Sequence, residues 1–402
     1  MTEQISVEEY AAKARVFLDA NAEKKEARKK FVWGEGSDNV SMFEERSKDA
    51  EEEMLRRAKA WQALRFDNGF AWITGPTEYG GAGLTVAHER AYNQVEREYK
   101  TAPLGAFQIG LGMVAPTILD HASQKARDLY LRKMWRADIV GCQLFSEPGA
   151  GSDLASVQAK AEKDGDEWII TGQKVWTSGA QFSDIGEIIC RTDPGLPKHK
   201  GLTGFIVDMR APGVEIRPLR QMTGGASFNE VFFNDVFVPD DDVVGPVDGG
   251  WTVARGTLGN ESVSIGSGDG AMVIPPASFL APFDANPARL SGGAGRIGRA
   301  TARSQAAETL NVRSAQRAVA GGEPGPEGAV TKLLLSENAE EAAAILFELA
   351  GATGVYLEDE GFMGGTLQLM HRALAIAGGT SEIKRNQIGE RILGLPRDPL
   401  IN

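Results

Sequence analysis

Apolar positions along the first 138 residues follow a helical rhythm, and polar residues mark where the helices begin. Ser6 followed by Glu9 has the spacing of a capping box, and the charged stretch from Phe43 to Arg65 continues the helical reading. Inside this region the run Gly75-Pro76-Thr77-Glu78-Tyr79-Gly80-Gly81-Ala82-Gly83 is too rich in glycine and proline for a helix and predicts a loop. Between about Val140 and Gly245 the pattern changes to short apolar runs bounded by turn residues. These are Trp168-Ile169-Ile170, Ile188-Ile189-Cys190, Gly204-Phe205-Ile206-Val207 and Val231-Phe232-Phe233. Asp164-Gly165 sits between two such runs as a hairpin turn, and no helix-length segment separates the others, so the pattern predicts an antiparallel sheet. From Gly249 an alanine-rich helical pattern returns, with breaks expected at Pro275 to Gly298 and Gly321 to Gly328. The order helices, sheet, helices defines an α+β chain with domains at 1–138, 139–245 and 246–402.

Composition narrows the function. With 43 Lys+Arg against 55 Asp+Glu, the net charge of −12 repels phosphate backbones and anionic lipid, which argues against nucleic-acid binding. Two cysteines, Cys142 and Cys190, and four scattered histidines offer neither a metal-binding spacing nor a disulfide framework. The polar N-terminus and the lack of a long apolar run disfavour a signal peptide and membrane insertion, so a cytoplasmic location is expected.

Three segments carry candidate chemistry. Gln143-Leu144-Phe145-Ser146-Glu147-Pro148-Gly149-Ala150-Gly151-Ser152-Asp153 runs from a strand into a turn of small residues and hydroxyls. Such a turn presents amides and hydroxyls to a flat heteroaromatic or a phosphate, although an ordinary Pro-Gly turn reads the same way. Trp176-Thr177-Ser178 ends a strand with a large aromatic and two hydroxyls, a ligand platform or a core tryptophan. Gly378-Gly379-Thr380-Ser381-Glu382 opens a final helix whose N-terminus suits an anion or is simply capped. A GxGxxG run at Gly293 to Gly298 lacks the preceding strand that a dinucleotide fingerprint needs.

In this order the three segments, with Phe228-Asn229-Glu230-Val231-Phe232-Phe233 and Val238-Pro239, resemble the acyl-CoA dehydrogenase family of flavoenzymes. The resemblance implies FAD against the middle sheet. Gln143, Leu144, Phe145, Ser146 and Ser152 together with Trp176, Thr177 and Ser178 would line the flavin. Ser152 would also approach an acyl-CoA thioester, and Gly379, Thr380 and Glu382 would meet the ribityl and pyrophosphate part. Family members place their glutamate base at one of two positions. The first, directly before the Gly-Thr pair, is here Gly378, which has no side chain. The second, as in isovaleryl- and long-chain-type members, is Glu261. Its helical stripe Ala254, Leu258, Glu261, Ile265 puts it among apolar residues, where desolvation strengthens a base.

By the same resemblance the Gly378 N–H polarises the thioester carbonyl, a 2,3 double bond forms, and an electron-transferring flavoprotein takes the electrons. Two departures stand out: Ser262 replaces the usual arginine after the glutamate, and the Arg-x-x-Phe-Gly element that reaches FAD across a subunit boundary is missing. The related glycine-rich element is reduced to Glu348 through Gly354. A homo-tetramer and a hetero-tetramer with a homologous subunit therefore both stay open. So do a structural or half-site subunit and a flavin monooxygenase on the same scaffold.

Overall fold

The structure, a computed structural model, describes residues 5–25, 48–267, 274, 277–319, 325–356 and 362–397. They fall into two compact units. One comprises 5–25, 48–220 and 226–257, and the other 221–225 and the described residues from 258 onward.

The first unit opens with α1 (Val7–Asn21), where the predicted capping box is present: Ser6 Oγ accepts from the Glu9 N–H at 3.2 Å and the Glu9 carboxylate accepts from the Ser6 N–H at 3.0 Å. Two short strands, β1 (Glu23–Lys24) and β2 (Tyr99–Lys100), pair antiparallel. Between them lie α2 (Lys48–Asp67) and α3 (Val86–Glu96). Tyr10, Phe17, Leu18, Trp61, Phe70, Tyr92 and Tyr99 form their shared core. The helical reading of Phe43 to Arg65 holds from Lys48 on; its start lies outside the described residues. The glycine-rich loop is irregular apart from one 3₁₀ turn, Thr77–Tyr79. Glycine is required at Gly81, since a Cβ there would stand 2.2 Å from the Gly75 carbonyl oxygen. A π-helical turn, Gly110–Val114, leads into α4 (Ala115–His121), and α5 (Gln124–Arg136) follows.

The sheet contains β3 (Gly141–Leu144), β4 (Lys160–Asp164), β5 (Glu167–Ser178), β6 (Ile185–Arg191), β7 (Leu202–Asp208), β8 (Val214–Leu219), β9 (Phe228–Pro239) and β10 (Val243–Val244). Its order is β10-β7-β6-β4-β5-β9-β8, with β3 beside β6. The Asp164-Gly165 hairpin joins β4 to β5, with Gly165 in the left-handed region at φ 57°. Most pairs are antiparallel as expected. The departures are at β6, which runs parallel to β3 over Ile185–Ile188 and to β4 at Arg191, because the β4–β5 hairpin is inserted between β3 and β6 and the chain re-enters in its first direction. β6 is buried at every position, which suits the apolar run Ile188-Ile189-Cys190 at its centre, and it buries Glu187 and Arg191 as well.

In the second unit the last turns of α6 (Gly250–Ser267) are followed by α7 (Ala277–Ala285), α8 (Gly293–Val319), α9 (Gly328–Ala350), α10 (Phe362–Ile376) and α11 (Ser381–Arg391). The break expected at Pro275 to Gly298 is corrected: α7 and the start of α8 lie inside it. Tertiary packing overrides the poor local propensity. Phe279, Leu290 and Ile297 are buried against Ala342, Ile345 and Leu349 of α9. Arg296 ties the glycine-rich start of α8 to Glu341 and Glu348 at 2.7 and 2.5 Å. Of the second expected break, Gly321 to Gly328, residues 321–324 lie outside the described set, 325–327 are non-helical, and α9 begins at Gly328. Among the described residues no helix is long and apolar enough to cross a membrane.

Candidate active site

The two groups of predicted site residues lie in different units, and each is described within its own. In the first unit β3 delivers half-buried Gln143 and buried Leu144 to a loop in which Phe145 is buried, Ser146 half-buried and Ser152 exposed. Glu147 and Ala150 close the turn with reciprocal backbone hydrogen bonds of 2.9 and 3.0 Å. The loop is fastened to β5 at two points. The Val175 N–H donates to the Ser146 carbonyl at 2.8 Å. The fully buried Lys174 Nζ donates to Glu147 Oε1 (2.8 Å), the Ile189 carbonyl (2.8 Å) and the Phe145 carbonyl (3.1 Å).

That joint sets up Trp176. The register of β5 against β9 slips between Lys174 and Thr177, and Trp176 takes a left-handed backbone, φ 62°. A bulky residue in that region is strained, and such strain gathers at functional sites. The indole is 61% exposed, so the core reading does not apply. Next to it the buried Thr177 Oγ1 has no hydrogen-bond partner, an open position for a polar atom of a ligand. Ser178, half-buried, ends the strand. Glu147, Pro148, Gly149, Ser156 and Gln173 border a cleft of about 460 Å³, which takes in the middle of the Gln143 to Ser152 segment but not Gln143, Leu144, Phe145, Ser146, Ser152 or Trp176 to Ser178.

Truncating an exposed side chain costs a fold little, usually within ~0.5 kcal/mol. Trp176→Ala is therefore expected to leave apoprotein melting nearly unchanged while flavin content after purification drops. A loss of several kcal/mol in the apoprotein would return Trp176 to the core.

In the second unit the predicted cap is present: Thr380 Oγ1 accepts from the Ile383 N–H at 3.2 Å and starts α11. Before it stand two consecutive left-handed residues, Gly378 (φ 67°) and Gly379 (φ 91°), a turn that only glycine makes without strain. Glu382 is exposed in the first turn of α11. On α6, Ala254 is buried and Leu258 and Glu261 are half-buried; the Ile265 side chain lies outside the described set. The Gly378 N–H faces the Glu261 carboxylate. Desolvation raises its pKa above the usual glutamate range, while Lys384, the Gly378 N–H and Lys332 pull it partly back. Glu261 and Gly378, the two alternative base positions read from the sequence, thus lie side by side.

Lys332 and Lys384 were not anticipated. Both are buried, and desolvation lowers both pKa values, Lys332 to about 8. The one sequence signal was a lone lysine in the apolar run Ala329-Val330-Thr331-Lys332-Leu333-Leu334-Leu335. Among the described residues no cluster of three or more His, Cys, Asp or Glu side chains is placed to hold a metal ion.

Each unit thus contributes one candidate: the exposed, left-handed Trp176 in the first, and in the second the desolvated Glu261 beside a glycine turn. Models of the acyl-CoA dehydrogenase N-terminal, middle and C-terminal domains match residues 26–138, 142–236 and 281–393. The chain belongs to the acyl-CoA dehydrogenase family. It is 40% identical over 339 residues to acyl-CoA dehydrogenase FadE34 of Mycobacterium tuberculosis, a match that covers 84% of this chain and 46% of that protein. The chain thus spans about half the length of that relative. Acyl-CoA dehydrogenase IpdE1 of Mycobacterium tuberculosis is 35% identical over 404 residues, covering 98% of each. Among solved structures, a variant of the Tcur3481-Tcur3483 steroid ACAD superposes with a TM-score of 0.73 at 25% identity, covering 98% of this chain and 99% of that one.

Proposed function

We propose that the chain is an FAD-dependent dehydrogenase that introduces a 2,3 double bond into an acyl-CoA thioester, with Glu261 as the base. The observation that carries this reading is the half-buried Glu261 carboxylate, raised in pKa by desolvation and facing the Gly378 N–H. The flavin residues are those of the sequence reading, supported by the exposed Trp176 and the unpartnered Thr177 hydroxyl. When bound, FAD supplies the acceptor for the hydride leaving the β-carbon.

The chain's own part is proton chemistry. Glu261 would take the proton alpha to the carbonyl as the C=C bond forms and a hydride departs from the β-carbon, so the carboxylate gains one proton and the thioester loses two hydrogens in all. The Gly378 N–H has two claimants: the carboxylate that it faces and the thioester oxygen. Committing the donor to the thioester stabilises the developing enolate and removes its lowering pull on the Glu261 pKa, which makes Glu261 a stronger base at that moment. Electrons then pass to an electron-transferring flavoprotein.

The steroid named for the 25%-identical structure puts ring-bearing acyl groups first among candidate substrates. The missing Arg-x-x-Phe-Gly element favours a tetramer mixed with a homologous subunit over a homotetramer. Of the nearby arginines, Arg296 is committed to Glu341 and Glu348, while Arg299 and Arg303 are exposed. The two-component name of the same solved structure is in keeping with a mixed assembly.

The deciding experiment is anaerobic titration of the purified chain, alone and co-expressed with a homologous subunit, with straight-chain, branched and ring-bearing acyl-CoAs, following flavin bleaching. Bleaching by one class with formation of its 2,3-enoyl product supports the reading. A flavin that no thioester reduces in either preparation overturns it. Full FAD occupancy and fast bleaching by the chain alone remove the need for a second subunit.

A further inference from the structure

Two glycines in succession leave the Gly378–Gly379 turn without local restraint, since glycine loses more backbone freedom on ordering than any other residue. The turn nevertheless has to present one particular N–H. Its restraint comes from α9. Lys332 Nζ reaches three oxygens around the turn: the Leu374 carbonyl in the last turn of α10, the Gly379 carbonyl at 3.4 Å and Ser336 Oγ at 3.1 Å. Ser336 Oγ lies 2.8 Å from the same Leu374 carbonyl, one of the helix-end acceptors that α10 cannot satisfy itself. On the other side, a Cβ on Gly379 would meet Lys384 Cε at 3.2 Å, so the turn is packed between two lysines.

We propose that Lys332 is a positioning residue that fixes the Gly378–Gly379 turn and, through the Gly378 N–H, the Glu261 carboxylate. A buried ammonium is a poor choice for stability, because an apolar side chain of similar volume fills such a site at less cost. What the ammonium adds is directed donors: one to the end of α10, one to the turn, and one to Ser336 of α9, whose hydroxyl donates to the same Leu374 carbonyl. The charges facing Glu261 are Lys332 and Lys384, and Lys384 in turn faces Arg391. The part concerning the base rests on the function proposed above; the part concerning the turn does not.

The test uses the full chain loaded with FAD, as wild type, Lys332→Met and Lys332→Arg. Amide hydrogen exchange is read over residues 374–380, and flavin reduction by the best acyl-CoA of the panel is followed against pH. Lys332→Met is expected to speed exchange at the turn by ~10-fold while amides elsewhere in α9 and α10 stay near wild type. It is also expected to slow flavin reduction by up to ~10²-fold, as a misplaced catalytic group does. Losing the Lys332 charge moves the acid limb of the rate to higher pH, since that charge lowers the Glu261 pKa. Lys332→Arg keeps the charge and changes the donor geometry, so it should hold the limb in place and still loosen the turn. It also carries the test if the methionine variant does not fold. Unchanged exchange at the turn, or exchange raised evenly across α9 and α10, overturns the proposal. Flavin reduction at the wild-type rate in Glu261→Gln would sink the assigned base and leave the exchange result to judge Lys332 alone.

Discussion

Glutamine at Glu261 is expected to slow flavin reduction by an acyl-CoA ~10²–10⁴-fold, the range a positioned general base supplies, while FAD stays bound. The substitution keeps an oxygen for the Gly378 N–H and nearly the same volume, so the turn has no reason to rearrange. It also removes a carboxylate whose ionised form burial disfavours, so the variant should fold at least as well as wild type. The pH dependence separates chemistry from structure. Abstraction needs the ionised carboxylate, and because desolvation raises the Glu261 pKa, the wild-type rate should fall with decreasing pH through a value above the ordinary glutamate range. That limb should vanish in the variant. Rapid-mixing absorbance under anaerobic conditions measures both. Near-normal bleaching, or an acid limb that survives the substitution, would place the base elsewhere.

Much of the scaffold was legible because its signals are local. The Ser6–Glu9 capping box, the Asp164-Gly165 hairpin and the Thr380 cap each depend on residues two to four apart, and each forms as read. The half-burial of Glu261 was legible for a related reason: a stripe at helical period shows which side of α6 is apolar without reference to any other element. The misreadings share the opposite property. The glycine and proline content of residues 275 to 298 argues against helix, yet Phe279, Leu290, Ile297 and the Arg296 ion pairs stabilise helices there through contacts with α9, which no local window contains. The parallel β3–β6 pairing depends on an intervening hairpin and leaves no trace in either strand. Lys332 is the sharpest case, since its partners at Leu374 and Gly379 are backbone carbonyls, and a carbonyl has no letter in the sequence.

Methionine at Lys174 is expected to cost ~3–5 kcal/mol of stability, the usual penalty for breaking a buried ion pair from one side. Lys174 is fully buried, and its ammonium spends all three donors, on Glu147 Oε1 and on the Phe145 and Ile189 carbonyls. Removing it strands those two carbonyls. The Glu147 carboxylate keeps the Ala159 and Gln158 N–H donors, at 2.9 and 2.7 Å, but loses its counter-charge in a dry environment. The consequence should reach the ligand platform. Lys174 lies two residues before Trp176, and the register slip that turns the indole outward begins there. Flavin content should therefore fall together with stability. Pairing Lys174→Met with Glu147→Gln removes the uncompensated charge and should recover part of the stability, because two polar groups lost together cost less than one left alone. Recovery of stability without recovery of flavin would show that the pair positions the platform as well as holding the sheet. Chemical denaturation of the apoproteins, with flavin content measured in parallel, gives both quantities. A loss below ~1 kcal/mol in the single variant would mean that the ammonium is dispensable and that the loop is held by the Val175–Ser146 hydrogen bond alone.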